Sequence, residues 1–204
     1  MAAIKVNPTR MELKRLKGQL ATARRGHKLL KDKCDELMRR FLDAVREAKE
    51  LREKLSLTLG DVDGRFSIAA AQTDPRMMTA ALMLPAGGGE LSVGEENIMS
   101  VIVPRYDFSY DKGKSASPYG FAFTTSALDL ATDELTDVLP ELVHLAQLEK
   151  TSLLLCDEIE RTRRRVNALE YIMIPQYEVQ IKEISMKLDE NERGNLSRLM
   201  KVKD

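Results

Sequence analysis

From Leu13 to Leu55, seam residues return alternately every third and fourth position: Leu13, Leu16, Leu20, Ala23, His27, Leu30, Cys34, Leu37, Phe41, Ala44, Ala48, Leu51 and Leu55. Eleven of these thirteen are plainly apolar, and the other two are His27 and Cys34. A mean spacing of 3.5 is the seam of a coiled coil, because a helix with 3.6 residues per turn must supercoil to keep such a stripe against a partner. An ordinary amphipathic helix does not need so strict a repeat. No proline interrupts the run. The seam therefore predicts a long helix whose apolar edge is closed by a second helix.

His27 and Cys34 sit two turns apart on that seam. Their axial separation is roughly 10.5 Å, whereas two ligands of one zinc ion each lie within about 2.3 Å of it. They cannot share a metal on one helix. They are expected to face the partner helix, Cys34 as a small apolar filler and His27 as a polar residue that sets register.

A candidate partner helix begins at Ala127. Its apolar positions are read as Leu128, Ala131, Leu135, Val138, Leu142 and Leu145, then Cys156, Ile159, Val166, Leu169, Met173, Tyr177, Ile181, Ile184 and Leu188. Several later steps are four residues long, which departs from the heptad and locally unwinds a supercoil. Pro175 lies inside the pattern and predicts a kink.

Between the helices the composition changes. Gly87-Gly88-Gly89, Pro75, Pro85, Pro104 and Pro118 divide the segment into short pieces. Asn97 to Pro104 (NIMSVIVP) and Tyr119 to Thr125 (YGFAFTT) each read as a strand. The expected organisation is a helix over 1–60, an insert over 61–126 with a short helix and a β-hairpin, and a returning helix over 127–204. The fold class is mainly α: a long antiparallel two-helix left-handed coiled coil with a small β-hairpin insert.

The charge distribution supports pairing within one chain. Residues 1–60 carry 16 Lys+Arg against 8 Asp+Glu, residues 61–127 carry 5 against 8, and residues 128–204 carry 11 against 16. A basic first helix and an acidic second helix attract one another. A zero net charge and few aromatics also argue against a nucleic-acid binder.

Several other classes lack their signatures. No apolar run approaches the roughly 18 residues of a membrane span, and the N-terminus lacks the apolar centre of a secretory signal. Two distant cysteines do not make a disulfide framework. Tyr110 to Ser115 (YDKGKS) contains GKS without the upstream glycine of a phosphate-binding loop. His144, between Val143 and Leu145, reads as a packed or partly exposed side chain. No catalytic, cofactor-binding or metal-ligating residue is expected.

Four passages carry a family resemblance: VNPTRMEL (Val6 to Leu13), RGHKLLKDKCDELMRRF (Arg25 to Phe41), NIMSVIVP, and RTRRRVNALEYIMIP (Arg161 to Pro175) followed by KLDENERGNLSRLMKVK. In order and wording they resemble the D-subunit family of the V-type/A-type ATPases. The resemblance implies a central rotor shaft, a left-handed antiparallel coiled coil that binds no nucleotide itself. It implies three sets of partners: the hexameric ATPase head, a small F subunit on the side of the shaft, and a funnel-shaped subunit coupling it to the membrane ring. The expected location is cytoplasmic, as a peripheral part of a membrane-bound complex, without direct membrane insertion.

The resemblance also implies that both chain ends enter the head, where Arg10, Lys14, Arg198 and Lys201 would concentrate positive charge. Arg161, Arg163, Arg164 and Arg165 form the one dense basic cluster of the second helix. They read either as a solvated face partly neutralised by Glu158 and Glu160, or as an electrostatic contact with a partner of the complex. The alternative to a rotor is a stationary coiled-coil scaffold or tether, which composition and periodicity fit equally well.

Overall fold

The computed structural model describes residues 7–83, 88–110, 119 and 124–203. The elements run in the order α1 (Arg10–Gln72), α2 (Pro75–Leu82), β1 (Gly89–Ile98), β2 (Val101–Tyr110), α3 (Ser126–Ala168), a π-helical segment (Leu169–Met173) and α4 (Ile174–Lys203). They divide into two compact units, one of Met1–Leu37 with Glu158–Asp204 and the other of Met38–Asp157.

The start of α1 is written locally. The hydroxyl of Thr9 accepts from the backbone N–H of Glu12 at 3.2 Å, the Thr-x-x-Glu spacing of a capping box, and Glu12 lies favourably in the positive first turn. The helix then runs for 63 residues, well past residue 60. It stops before Asp74, because the residue preceding a proline is pushed out of the α region. Asp74 is extended, caps α2 by accepting from the Arg76 N–H at 2.8 Å, and is followed by Pro75 at the first helical position.

In the first unit, residues 10–37 of α1 pair with 158–168, the π segment and α4. Arg10 bonds Glu192, Arg24 lies 2.6 Å from Glu178, His27 3.3 Å from Glu170, and Lys33 3.6 Å from Glu158. One set of numbers rises as the other falls, so the pairing is antiparallel. Leu16, Leu37, Ile159, Thr162, Val166 and Ile184 are buried between the strips of charge.

The second unit pairs α1 with α3 in the same sense. His144 lies 3.2 Å from Glu47, Lys54 2.6 Å from Glu141 and Arg65 2.5 Å from Glu134, while Arg52 bonds Glu149. Leu55, Val62, Leu148, Thr151 and Leu155 are buried here. Where α1 ends, Ala69 packs with Leu128 and with Met78 and Ala81 of α2.

All thirteen seam positions from Leu13 to Leu55 are buried or half-buried: Leu16, Leu37 and Leu55 buried, and Leu13, Leu20, Ala23, His27, Leu30, Cys34, Phe41, Ala44, Ala48 and Leu51 half-buried. The seam of α3 agrees with the expected one at Leu128, Ala131, Val138, Ile159 and Val166, all buried, and differs at two positions. Leu155 is buried and Cys156 exposed, and Leu135 is exposed as well. The buried line runs Leu148, Thr151, Leu155, Ile159, Thr162 and Val166. Its mean step of about 3.6 is that of a straight helix. Two of its members, Thr151 and Thr162, are polar, so an apolar periodicity does not mark them. Thr162 satisfies its hydroxyl within reach of Glu158, at 3.5 Å.

The break before Pro175 takes the form of a π turn. The backbone N–H of Ile174 donates to the Leu169 carbonyl, five residues back. The wider turn gives the Pro175 ring room where an α turn would press it against the carbonyl four residues earlier. Met173, expected on the seam, lies in this turn and is exposed.

The hairpin is present, but in a different place from the two predicted strands. β1 and β2 pair antiparallel from Gly89↔Tyr110 to Ile98↔Val101, so the chain reverses at Met99 and Ser100, in the middle of NIMSVIVP. Both turn residues have positive φ, 52° and 73°, the sign required at both centres of a type I′ turn. Neither is glycine, so the usual signal is missing. Asn97 supplies the local support, its side-chain oxygen accepting from the Ser100 N–H at 2.8 Å. Most of YGFAFTT and nearly all of YDKGKS lie outside the described residues; Thr124 and Thr125 carry no strand.

Candidate partner interface

A pair of helices meets other proteins through whatever its seam leaves outside. The C-terminal turns of α4 leave an apolar edge: Leu196, Leu199, Met200 and Val202 are all exposed, and so is Met11 near the start of α1. Around them Lys14, Arg198 and Lys201 are exposed with no ion pair among the described residues, while Arg10 is tied to Glu192. The positive charge expected at the chain ends is therefore interleaved with exposed apolar side chains, which a charge count overlooks.

In the second unit, Phe41, Val45 and Ala48 of α1 and Leu153 and Cys156 of α3 line a groove of about 670 Å³. Leu153 is 62% exposed, and Met38, Leu42 and Val45 add a further exposed stripe. At steps of four and three, those three residues run beside the seam, and that spacing was the available signal in the sequence. The rim is internally neutral, since Lys49 pairs with Glu53 and Arg52 with Glu149. An apolar groove with a neutral rim favours a partner that brings apolar side chains over one that brings charge.

The hairpin is anchored by β2, whose Tyr106 N–H donates to the Gln147 side chain of α3 at 3.0 Å. Val101 and Val103 are buried. On the opposite face Leu91, Val93 and Ile102 stand at least half exposed.

Arg161, Arg163, Arg164 and Arg165 are all exposed. Arg164 bonds Glu160 within its own helix. The other three have no ion pair among the described residues. Among the described residues no group of His, Cys, Asp and Glu could hold a metal ion, and no helix is long and apolar enough to cross a membrane.

This helical chain matches one family. The family model for the D subunit of ATP synthase matches residues 12–204. The chain belongs to the ATP synthase D-subunit family. It is 58% identical to the V-type ATP synthase D subunit of Acetivibrio thermocellus over all of this chain and 93% of that protein. The D subunits of Clostridioides difficile, at 52%, and Enterococcus faecalis, at 51%, also align with the whole chain and with 92% and 97% of their own lengths. The D subunit is a component of the synthase complex, and the antiparallel pairing in each unit is the form this member of the family takes.

Proposed function

We propose that this D subunit is the central rotor shaft of a V-type rotary ATPase, coupling ATP hydrolysis or synthesis in the head to ion movement across the membrane. The observation that carries the reading is the seam from Leu13 to Leu55, closed in each unit by an antiparallel helix, in a chain of this family. Packing along a continuous seam ties two helices together and resists their sliding and bending, which a torque-bearing element requires. ATP chemistry is assigned to the head subunits, and the chain contributes no catalytic residue.

The paired ends then work inside the hexameric head. Leu199, Met200 and Val202 provide apolar sliding contact there, and Lys14, Arg198 and Lys201 provide weak, remakeable polar contacts. Exposed ion pairs of this kind are worth about 0–1 kcal/mol each, low enough to break at every step. The groove at Phe41, Val45 and Leu153 is assigned to the small F subunit, and a funnel-shaped subunit connects the shaft to the membrane ring.

The test is a disulfide between a cysteine replacing Lys201 and one on the inner wall of the head. Steady-state ATP turnover should stop when the bond forms and return on reduction. A cysteine pair joining α1 to α4 within the first unit should leave turnover largely intact. Full turnover with the tip verifiably crosslinked to the head would refute the rotor and favour a stationary scaffold.

A further inference from the structure

The hairpin turns one edge toward α3 and leaves the other open. Facing residues of an antiparallel pair alternate between those that bond each other and those whose N–H and C=O point away from the partner strand. The Tyr106 N–H donates to the Gln147 side chain of α3 at 3.0 Å. It therefore points away from β1, and the facing pair Val93↔Tyr106 is of the second kind. The same phase along the ladder turns the N–H and C=O of Leu91, Val93 and Glu95 away from β2. On β2 the corresponding edge meets Gln147 at Tyr106 and has no N–H to offer at Pro104. On β1 nothing answers: among the described residues no hydrogen bond reaches the outward backbone groups of Leu91, Val93 or Glu95.

A row of open donors and acceptors is a template for another strand, and folded proteins blunt it with a proline, a bulge or a short strand. β1 has none of these. It pairs with β2 over ten residues without a proline or a break in register. What it carries instead is charge of one sign. Glu90, Glu95 and Glu96 are exposed and have no ion pair among the described residues, whereas Arg105, the single cation of the two strands, is held by Asp107. Between these carboxylates stand Leu91 and Val93, both exposed. They share a face with Phe108 and Tyr106, which lie opposite them in the ladder.

We infer that the outer edge of β1 accepts an extended segment of a partner protein as a third strand, apolar beside Leu91 and Val93 and bearing Lys or Arg beside Glu90, Glu95 and Glu96. In strand addition the backbone bonds supply the attachment and the alternating side chains supply the selection. Opposite charges facing each other across a strand pair favour it, and like charges oppose it. The same rule disfavours a second copy of this chain as the occupant. In antiparallel pairing of two β1 edges centred on Val93, Glu90 of each copy faces Glu96 of the other. The inference uses a surface that the rotor reading does not, and stands or falls apart from it.

Two measurements test it. In the first, a short synthetic peptide alternating valine and lysine is titrated against the full-length chain. It should bind, and the same peptide N-methylated at alternate residues, which lacks the donors, should not. A peptide alternating valine and glutamate should bind roughly tenfold more weakly or worse. Val93→Pro removes an N–H that β2 does not use, at the kind of edge position where proline is tolerated. It should abolish binding while amide exchange at Ser92, Gly94 and Glu96, whose N–H groups face β2, stays slow. In the second, exchange at Leu91, Val93 and Glu95 is compared between the free chain and the assembled synthase complex, where it should be roughly tenfold slower or more. Failure of the valine–lysine peptide to bind, equal binding of the methylated or acidic peptide, or fast exchange of the three amides in the complex overturns the inference. Slow exchange of these amides in the dilute free chain means that a segment of the same chain already covers the edge, and slow exchange only in the concentrated free chain means that a second copy does. Either result overturns the partner strand.

Discussion

The imidazole Nε2 of His27 on α1 lies 3.3 Å from a carboxylate oxygen of Glu170 in the π segment. His27 occupies a seam position but is only half-buried, so the ring packs its body toward the opposing helix and keeps a polar edge at the rim. His144, the other histidine, meets Glu47 in the same way in the second unit. Both histidines thus bridge opposed helices.

Replacing His27 and Cys34 together by leucine is expected to leave the thermal midpoint unchanged or raise it. Each site gains apolar burial of up to about 1 kcal/mol, and the Glu170 carboxylate, 47% exposed, loses little when its partner goes. Overpacking can offset part of the gain. A chelator should not move the midpoint of the unaltered protein. A chelator-sensitive melt would contradict the packing role of these two residues.

Two leucines of α1 should respond oppositely. Leu37 is 0% exposed and Leu29 is 69% exposed. Leu37→Ala should cost roughly 2–5 kcal/mol in urea unfolding through the cavity it leaves. Leu29→Ala should stay within about 0.5 kcal/mol. Similar losses at both sites would mean that the seam does not carry the stability.

The hairpin turn should be improvable. Met99 and Ser100 both hold positive φ, at a cost of roughly 1–2 kcal/mol per residue for side chains other than glycine. Met99→Asn with Ser100→Gly installs the sequence that this turn prefers. Amide exchange across β1 and β2 should slow several-fold, with helical signal unchanged. Faster exchange would show that the turn conformation is not the limiting strain.

At the π turn, Pro175→Ala restores an N–H and removes the ring that blocks an α turn. The thermal midpoint should rise, with a gain bounded by the ~3 kcal/mol that separates proline from alanine inside a helix. Amide exchange at 169–173 should slow if the π turn relaxes. A drop in stability would mean that surrounding packing, and not the proline, holds the π geometry.

The inward edge of the first helix was legible in the residues themselves, because a coiled-coil seam is a periodic signal carried by one helix, and the family was legible in the wording of four passages; the Thr9 cap that starts the helix at Arg10 and its run to Gln72 were not. The location of the hairpin was not legible. Its turn uses Met99 and Ser100 instead of glycine, and the Asn97 side chain that supports it acts through a single hydrogen bond. The buried line of α3 was also misread at Leu135 and Cys156. Thr151 and Thr162 share that line because the opposing helix covers them, and residue polarity alone does not announce such cover. Charge shows the same division. Chain order reveals a basic first helix and an acidic second one, whereas antiparallel pairing decides which of those charges meet, as Arg24 does Glu178 and Lys33 does Glu158. The periodic pattern determined that two helices would pair; the tertiary structure decided which charges and apolar edges were left outside, since only packing consumes some groups and exposes the rest.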